Sequence, residues 1–330
     1  MGKKLNWAIL GTGKISNRFA AALNHLTDQT TLLAVGSRDQ AAADAFGDKY
    51  HIPHRYSSYA EAASDPEVDI VYIGTPGVFH LRDASMALEN NKHVLCEKAF
   101  TMNASQAQQL INLARKKKLF LMEAMWTRFF PIHRRIRELI QKNTIGKVNG
   151  MTINFIAKPP FDLNNRFFDI HLGAGVLLDT ASYGVSWASS LFGVPEAVTG
   201  LATFGESGAD YQTSLVLRYP EGQLVSLMSS QISYDDKRAV IFGSDGKIVV
   251  HDPWYKPTEM TLYIEGRAAQ KIEYPLNNYN GYEYEALEVV QCIRAGEIES
   301  KIMPLDETFT IMQTLDTVRQ EWGFRYPSEG

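Results

Sequence analysis

The chain has 330 residues, 45% of them hydrophobic and 21% charged, which is the composition of an ordinary globular protein long enough for two domains. Its formal net charge of −4 excludes the basic balance typical of proteins that bind nucleic acid or anionic membranes. The two cysteines, Cys96 and Cys292, have no metal-ligand spacing and are predicted to be reduced thiols. No apolar run approaches the roughly 20 residues that span a bilayer, and the first predicted strand begins too early for a signal peptide. We therefore expect a cytoplasmic enzyme without a nucleic-acid or membrane partner.

The first predicted element is a short apolar strand, residues 7–10, followed by a glycine-rich turn and a helix whose hydrophobic residues recur at helical spacing. This arrangement is typical of a dinucleotide-binding unit, in which the glycines permit a tight turn and let the backbone approach a pyrophosphate. Ser16 replaces the third glycine of the fingerprint and is small enough for the helix to pack on the strand. The cofactor-binding residues predicted in this turn are Gly11, Thr12, Gly13, Lys14 and Ile15.

The second predicted strand, residues 32–36, ends without the carboxylate that grips the ribose 2′-hydroxyl of NAD. Ser37 and Arg38 follow it instead. A guanidinium can donate charge-assisted hydrogen bonds to a 2′-phosphate, each worth about 1.5–3 kcal/mol. These two residues therefore favour NADP over NAD, which stays an alternative cofactor. The competing interpretation is that Arg38 is a solvated charge at the start of the next helix and Asp39 takes the acidic role.

Apolar runs alternate with amphipathic stretches through the first 125 or so residues. Strands that are separated by helices and read as continuously apolar predict a doubly wound parallel sheet, the Rossmann fold. The predicted strands are residues 8–10, 32–35, 70–73, 94–96 and 120–122, and the predicted helices include 79–88 and 104–114.

From residue 126 the pattern changes to α+β. The predicted helices are residues 132–141 and 176–191, and the predicted strands are 148–155, 197–204, 212–219, 224–233, 238–242 and 247–251, with a hairpin turn at 243–246. We predict a Rossmann NAD(P)-binding domain at 1–125. The remainder, 126–330, is predicted to be an α+β substrate-binding and dimerisation domain with an open, mostly antiparallel sheet. Its last two predicted helices, 284–295 and 307–322, are free to pack back on the first domain.

Several motifs resemble the Gfo/Idh/MocA oxidoreductases (glucose–fructose oxidoreductase, inositol 2-dehydrogenase). Thr75-Pro76 with His80, and Glu97-Lys98 after the next strand, carry the resemblance. The segment from Glu123 through Trp126 and Arg128 also resembles the branch that holds dimeric dihydrodiol dehydrogenases and NADP-dependent xylose dehydrogenases. Two departures from the family pattern are Ala99, where proline is usual, and Gly77, where asparagine is common. The resemblance implies that Thr75, Pro76, His80, Glu97, Lys98, Trp126 and Arg128 contact or flank the cofactor.

Lys98 follows a strand at the carboxyl edge of the predicted sheet, where open α/β sheets bind ligands. An ammonium there could hydrogen-bond the reacting oxygen and lower the pKa of a neighbouring phenol. Asp179 and Tyr183 are four residues apart in a predicted helix and so share one face. In the family this place holds an aspartate followed four residues later by histidine or tyrosine, which implies a proton relay with Lys98. The competing interpretations are a surface lysine paired with Glu97 and an exposed polar stripe.

These observations predict an NAD(P)-dependent dehydrogenase or reductase, with NADP favoured, acting on CH–OH groups. The predicted substrate is a secondary alcohol of a sugar, polyol or trans-dihydrodiol, and the catalytic residues are Lys98, Tyr183 and Asp179. Substrate specificity is assigned to the loop 157–172, whose aromatic neighbourhood includes Phe155, Phe161, Phe167, Phe168 and His171. The scattered histidines predict no metal, and the family's open sheet implies a homodimer. Two alternatives stay open: a non-catalytic nucleotide sensor on this fold, and an oxidoreductase that holds its cofactor permanently.

Overall fold

The computed structural model describes residues 3–329 and divides them into two compact units. The first contains the described residues through Trp126 together with Asn277–Phe309. The second contains Thr127–Leu276 together with the chain from Thr310 onward. Among residues 3–329, no helix combines the length and apolar character needed to cross a membrane.

The first unit is built on a six-stranded parallel sheet with strand order β3-β2-β1-β4-β5-β6. Its strands are β1 (Leu5–Leu10), β2 (Thr30–Gly36), β3 (His54–Tyr56), β4 (Ile70–Ile73), β5 (His93–Glu97) and β6 (Leu121–Ala124). Its helices are α1 (Lys14–Asn24), α2 (Gln40–Tyr50), α3 (Tyr59–Ser64), α4 (His80–Glu89), α5 (Ala104–Lys117) and, from the C-terminal part, α8 (Tyr282–Arg294).

The parallel sheet forms because its central strands are apolar on both faces. In β4 all four residues are buried, and β1 is buried from Trp7 to Leu10. Such strands require helices on both faces of the sheet. The strand order reverses between β1 and β4, and open α/β sheets bind ligands outside the carboxyl ends of the strands at such a reversal. The predicted Rossmann architecture is confirmed. The structure also contains β3, a strand that was not predicted.

The second unit contains an eight-stranded mixed sheet with strand order β14-β13-β12-β11-β7-β10-β9-β8. Only the β7–β10 pair is parallel among the described strands of this sheet. The strands are β7 (Val148–Ile156), β8 (Ala197–Phe204), β9 (Asp210–Arg218), β10 (Leu224–Ser230), β11 (Ala239–Gly243), β12 (Gly246–Val250), β13 (Glu259–Ile264) and β14 (Gln270–Glu273). The helices are α6 (Pro131–Gln141), α7 (Ser182–Phe192) and the greater part of α9 (Leu305–Glu321). The mostly antiparallel sheet and the hairpin between β11 and β12 confirm the prediction.

One face of this sheet carries the core of the second unit. In β9 and β10 buried residues alternate with exposed ones, which is the pattern of a half-buried antiparallel sheet. Helix α7 packs closely on the buried face, because a Cβ at Gly184 would overlap Leu227 and lie 3.5 Å from Ile153. A five-residue π-helical turn, Leu177–Ala181, precedes α7 where one continuous α-helix was predicted.

Candidate functional site

The glycine-rich turn after β1 has the geometry of an anion-binding loop. Gly11 has φ +98°, its N–H donates to Gly36 O at 2.9 Å, and a Cβ there would lie 3.1 Å from Gly74 O. Helix α1 begins at Lys14, and within the described chain neither a side-chain cap nor an acidic residue occupies its first turn. A Cβ at Gly13 would meet open space. The free N–H groups and the open approach at Gly13 fit a pyrophosphate.

Ser16 performs the packing role expected of the fingerprint's third small residue. It is completely buried, and a Cβ at Gly74, just after β4, would overlap its Oγ. The short side chain thus lets α1 pack closely against the chain at the end of β4. Only a small residue is compatible with this approach.

Ser37 and Arg38 lie at the end of β2. Ser37 N–H donates to Tyr56 O at 3.0 Å, and its Oγ accepts from the Asp39 N–H at 3.3 Å. The Asp39 carboxylate caps α2 by accepting from Ala41 N–H at 3.0 Å. Arg38 is exposed, and its charge opposes the increase that burial causes in the pKa of the nearby Tyr59 phenol. Asp39 and Arg38 are both exposed, and the Asp39 carboxylate is engaged as a helix cap.

Hydrogen bonds between buried polar groups stabilise the turn after β4. Thr75 Oγ1 donates to Asp83 Oδ2 at 2.8 Å. The ring nitrogens of His80 both face carbonyl oxygens: Nε2 lies 2.8 Å from Thr75 O and Nδ1 lies 3.0 Å from Ala99 O. Burial lowers the pKa of His80, although the carbonyl groups oppose that shift. His80 thus ties the Thr75-Pro76 turn to the segment that follows Lys98.

Glu97, the residue before Lys98, and Glu285 form a buried acidic pair. Glu97 accepts from the Tyr72 hydroxyl at 2.5 Å and from the Lys98 backbone N–H at 3.2 Å. Glu285, on α8, is completely buried, and neither of its carboxyl oxygens has a hydrogen-bond partner among the described residues. Burial and the charge of Glu97 raise the pKa of Glu285 well above its usual range. The protonated form of Glu285 is therefore favoured in the folded protein. The Lys98–Ala99 peptide bond is cis.

Trp126 and Arg128 are both buried. The Trp126 ring stacks on Tyr282 with centroids 4.2 Å apart. Arg128 Nε donates to Ser186 Oγ on α7 at 3.1 Å. These contacts show how each side chain is held. That Trp126 and Arg128 contact a cofactor stays a prediction.

In the second unit, Asp179 lies within the π-helical turn and Tyr183 in the first turn of α7. Asp179 Oδ1 is 3.7 Å from Arg166 Nη1, whose guanidinium also lies over the Phe167 ring. Tyr183 is 8% exposed and belongs to an aromatic group with Phe155 and Tyr255. The Phe155 ring stacks on Tyr255 with centroids 4.6 Å apart.

The sequence interpretation missed Arg166, Tyr255, Tyr59 and Glu285. The only sequence signal for Arg166 was its position in the variable loop, and the others gave none because distant parts of the chain bring them into place. The predicted aromatic loop residues differ in setting: Phe168 is buried against Ala174 and Tyr211, whereas Phe161 is 57% exposed.

Residues 3–329 contain one group of potential metal ligands, His54, Asp65 and Glu67, at strand β3 and after α3. His54 Nδ1 lies 2.7 Å from Asp65 Oδ2, and the Tyr56 hydroxyl donates to the same oxygen at 3.0 Å. Hydrogen bonds to His54 and Tyr56 also lower the pKa of Asp65 against the effect of its burial. The carboxylate is thus satisfied by its neighbours. The prediction of a metal-free protein stays a prediction.

The family model "Oxidoreductase family, NAD-binding Rossmann fold" matches residues 5–125, and the "GFO/IDH/MocA C-terminal domain" matches residues 133–249. The chain is similar to trans-1,2-dihydrobenzene-1,2-diol dehydrogenase of Xenopus tropicalis, at 36% identity over 97% of this chain and 99% of the relative. The human protein of that name is 33% identical over 98% of this chain and 99% of the relative.

Two solved structures share the fold. A 3-ketoreductase from Actinomadura kijaniata, solved with NADP and TDP-benzene, has a TM-score of 0.87 at 21% identity and covers 96% of this chain and 98% of its own. Levoglucosan dehydrogenase, solved with NADH and levoglucosan, has a TM-score of 0.88 at 16% identity. The match covers 97% of this chain and 98% of the dehydrogenase. With two family models and full-length relatives in agreement, this chain belongs to the Gfo/Idh/MocA family and is an NAD(P)-dependent oxidoreductase acting on CH–OH groups.

Proposed function

We propose that the enzyme prefers NADP and transfers a hydride between the nicotinamide and a secondary alcohol of a sugar, polyol or trans-dihydrodiol. Lys98 and Tyr183 form the proton-transfer pair, and Asp179 orients the substrate or the lysine. The observation that carries the proposal is the position of Lys98 directly after β5, at the carboxyl edge of the parallel sheet. The diol dehydrogenases that are similar over their full length support the substrate class.

The cofactor is held by the glycine turn and the end of β2. The first N–H groups of α1 bind the pyrophosphate, and Gly13 lets it approach the backbone. Arg38 donates to the 2′-phosphate, while Asp39 stays engaged as the cap of α2. When bound, the nicotinamide accepts or donates the hydride.

Tyr183 exchanges the proton of the substrate hydroxyl. An unperturbed phenol has a pKa near ~10 and is a poor base at neutral pH. The positive charge of Lys98 stabilises the phenolate and thereby lowers the energy of proton removal. The same ammonium donates a hydrogen bond to the oxygen that becomes the carbonyl, where negative charge develops in reduction.

The groups around Tyr183 support a substrate with C–H faces and several hydroxyls. Phe155 and Tyr255 present aromatic rings beside Tyr183. Such rings suit the apolar faces of a pyranose or a ring diol. Arg166 and Asp179 add a donor and an acceptor for additional hydroxyl groups.

We also propose that the enzyme is a homodimer formed through the exposed face of the eight-stranded sheet. Leu224, Gly150, Phe242, Lys247 and Tyr263 form one row of paired residues across that sheet. In this row Leu224 is 52% exposed and Phe242 is 40% exposed. Large apolar side chains exposed on one face of a sheet are typical of an interface.

Sedimentation velocity tests the assembly. The wild type should sediment as a dimer at micromolar concentration, and Phe242→Lys should shift it to the monomer. Leu163→Lys, at an exposed leucine outside the sheet, is the matched control and should stay dimeric. A monomeric wild type would reject the proposal.

The activity is tested by following the absorbance of the reduced nicotinamide over a panel of aldoses, inositols and trans-diols with each cofactor. We expect turnover of at least one class, with a higher kcat/KM for NADP than for NAD. Tyr183→Phe should lower kcat about 10²–10⁴-fold and leave cofactor affinity unchanged. Turnover of Tyr183→Phe at the wild-type rate would refute the assignment. Nicotinamide absorbance in protein purified without added cofactor would instead favour a permanently bound cofactor.

A further inference from the structure

Asp210, the first residue of β9, has a completely buried carboxyl group that accepts a hydrogen bond from the start of a helix. Its Oδ2 accepts a hydrogen bond of 2.7 Å from the backbone N–H of Leu177. Leu177 begins the π-helical turn, and the first N–H groups of a helix have no partner inside the helix. A side chain from β9 therefore satisfies the start of a helix 33 residues earlier in the chain.

The packing around this carboxyl group is tight. Gly175 has φ +135°, and a Cβ there would overlap Asp210 Oδ1 and lie 3.1 Å from the Tyr326 hydroxyl. Asp210 Oδ1 and the Tyr326 hydroxyl are buried, and neither has a hydrogen-bond partner within residues 3–329. The bond to Leu177 is thus the side-chain hydrogen bond that holds this carboxyl group in the described structure.

The anchored turn leads directly to two predicted catalytic residues. Asp179 is two residues after Leu177, and Tyr183 follows at the start of α7. Downstream the turn is held by the Ser182 N–H, which donates to Leu177 O, and by Thr180 Oγ1, which donates to Ser229 Oγ at 3.1 Å. Leu177 is therefore fixed through both its N–H and its carbonyl oxygen, and its position sets the positions of Asp179 and Tyr183.

We propose that Asp210 is a positioning residue for catalysis: its hydrogen bond to Leu177 fixes the helix start that carries Asp179 and Tyr183. The catalytic part of this inference rests on the function proposed above. The structural part stands on the geometry of the second unit alone.

The charge of Asp210 should modulate this anchor in the neutral pH range. The pKa of Asp210 is raised to about 7, mainly by burial and to a smaller extent by Asp179, against the opposing effects of the Leu177 N–H and Arg319. The groups that face it are Asp179 on the π-helical turn, Arg319 on α9, and Tyr326 and Glu329 after α9. Arg319 pairs with Glu329, and burial keeps Tyr326 neutral.

The ionised carboxylate accepts the Leu177 N–H more strongly than the protonated acid, because charge-assisted hydrogen bonds are the stronger ones. Burial nevertheless disfavours the ionised form by more than this hydrogen bond favours it, because the net effect raises the pKa of Asp210 to about 7. The anchored turn therefore becomes less stable relative to an opened, solvated turn as the pH rises, and its protection should be greater at pH 6 than at pH 8.

The test compares full-length wild type, Asp210→Ala and Asp210→Asn, with the exposed Asp28→Asn as control. Hydrogen exchange measured by mass spectrometry on the segment 176–183, corrected for intrinsic rates, reports the anchor without requiring activity. Asp210→Ala should exchange about tenfold faster or more. Asp210→Asn keeps an acceptor and should retain most of the protection, but it should lose the difference between pH 6 and pH 8. Asp28→Asn should behave as the wild type.

Kinetics complete the test. Asp210→Ala should lower kcat about tenfold or more while the Kd for NADPH, which reports the first unit, stays unchanged. Wild-type protection of 176–183 in Asp210→Ala would overturn the proposal. If that variant does not fold, an unaltered pH dependence of exchange in Asp210→Asn would also overturn it. A wild type that oxidises no alcohol would reject the proposed function, while the exchange data would still decide the anchoring role.

Discussion

The two glycines of the nucleotide turn should respond in opposite ways to the same substitution. Gly13 has φ −72°, and a Cβ there meets nothing within 4 Å. Gly13→Ala should therefore not destabilise the fold and should raise the free energy of unfolding by up to about 1 kcal/mol, because alanine restricts the unfolded chain. Gly11 has φ +98°, and its Cβ would lie 3.1 Å from Gly74 O. Gly11→Ala should lower the free energy of unfolding by about 1–3 kcal/mol.

Cofactor affinity separates packing from binding at these two positions. In Gly13→Ala the methyl group occupies the space through which the pyrophosphate approaches the backbone, so the Kd for NADPH should rise about tenfold or more, which is about 1.4 kcal/mol or more. Urea unfolding of the cofactor-free protein and fluorescence titration with NADPH measure the two effects. A Gly13→Ala variant that binds NADPH normally, or that unfolds more easily than Gly11→Ala, would refute this account of the turn.

Substitutions at Arg38, Asp39 and Glu285 test charges in the first unit. Arg38→Ala should weaken NADPH binding about 10–100-fold and leave NADH binding unchanged, since the lost hydrogen bonds go to the 2′-phosphate; Asp39→Asn, which keeps an acceptor for the α2 cap, should change neither. An equal loss for both cofactors in Arg38→Ala would contradict the role of Arg38. Burial raises the pKa of Glu285 above the ~4.3 of an unfolded chain, so the stability that its protonation contributes is full below that value and decreases as the pH rises toward the folded pKa. Glu285→Gln removes this dependence, and its Tm relative to wild type should increase between pH 5 and pH 8; parallel Tm curves would argue against a raised pKa of Glu285.

The sequence predicts elements that have a regular apolar pattern or a recognisable turn. It does not predict short or polar strands, which form only because neighbouring strands pair with them. The apolar run of β4 and the hairpin between β11 and β12 could be read directly from residue type and turn chemistry. Strand β3 could not, because three half-buried residues, one of them charged, give no periodic signal. The polar β14, at the sheet edge, gives equally little signal.

The same distinction applies to the site. The glycine turn, Arg38 and Lys98 are local in sequence and could be predicted from spacing and strand ends. The π-helical turn could not, since a spacing of four residues between Asp179 and Tyr183 is compatible with either helix type. Asp210 lies just before the predicted strand 212–219 and received no role from the sequence, because its bond to Leu177 depends on how β9 packs beside the helix start.

In the proposed mechanism, Lys98 supplies the positive charge that the proton transfer requires. Lys98→Met keeps the length of the side chain and removes the ammonium, so it should bind NADPH with wild-type affinity and lose turnover in both directions across the whole substrate panel. Measuring NADPH affinity and kcat on the same preparation of this variant tests the role of the Lys98 charge in proton transfer. Tight cofactor binding without turnover is the predicted result, and full turnover in Lys98→Met would contradict it.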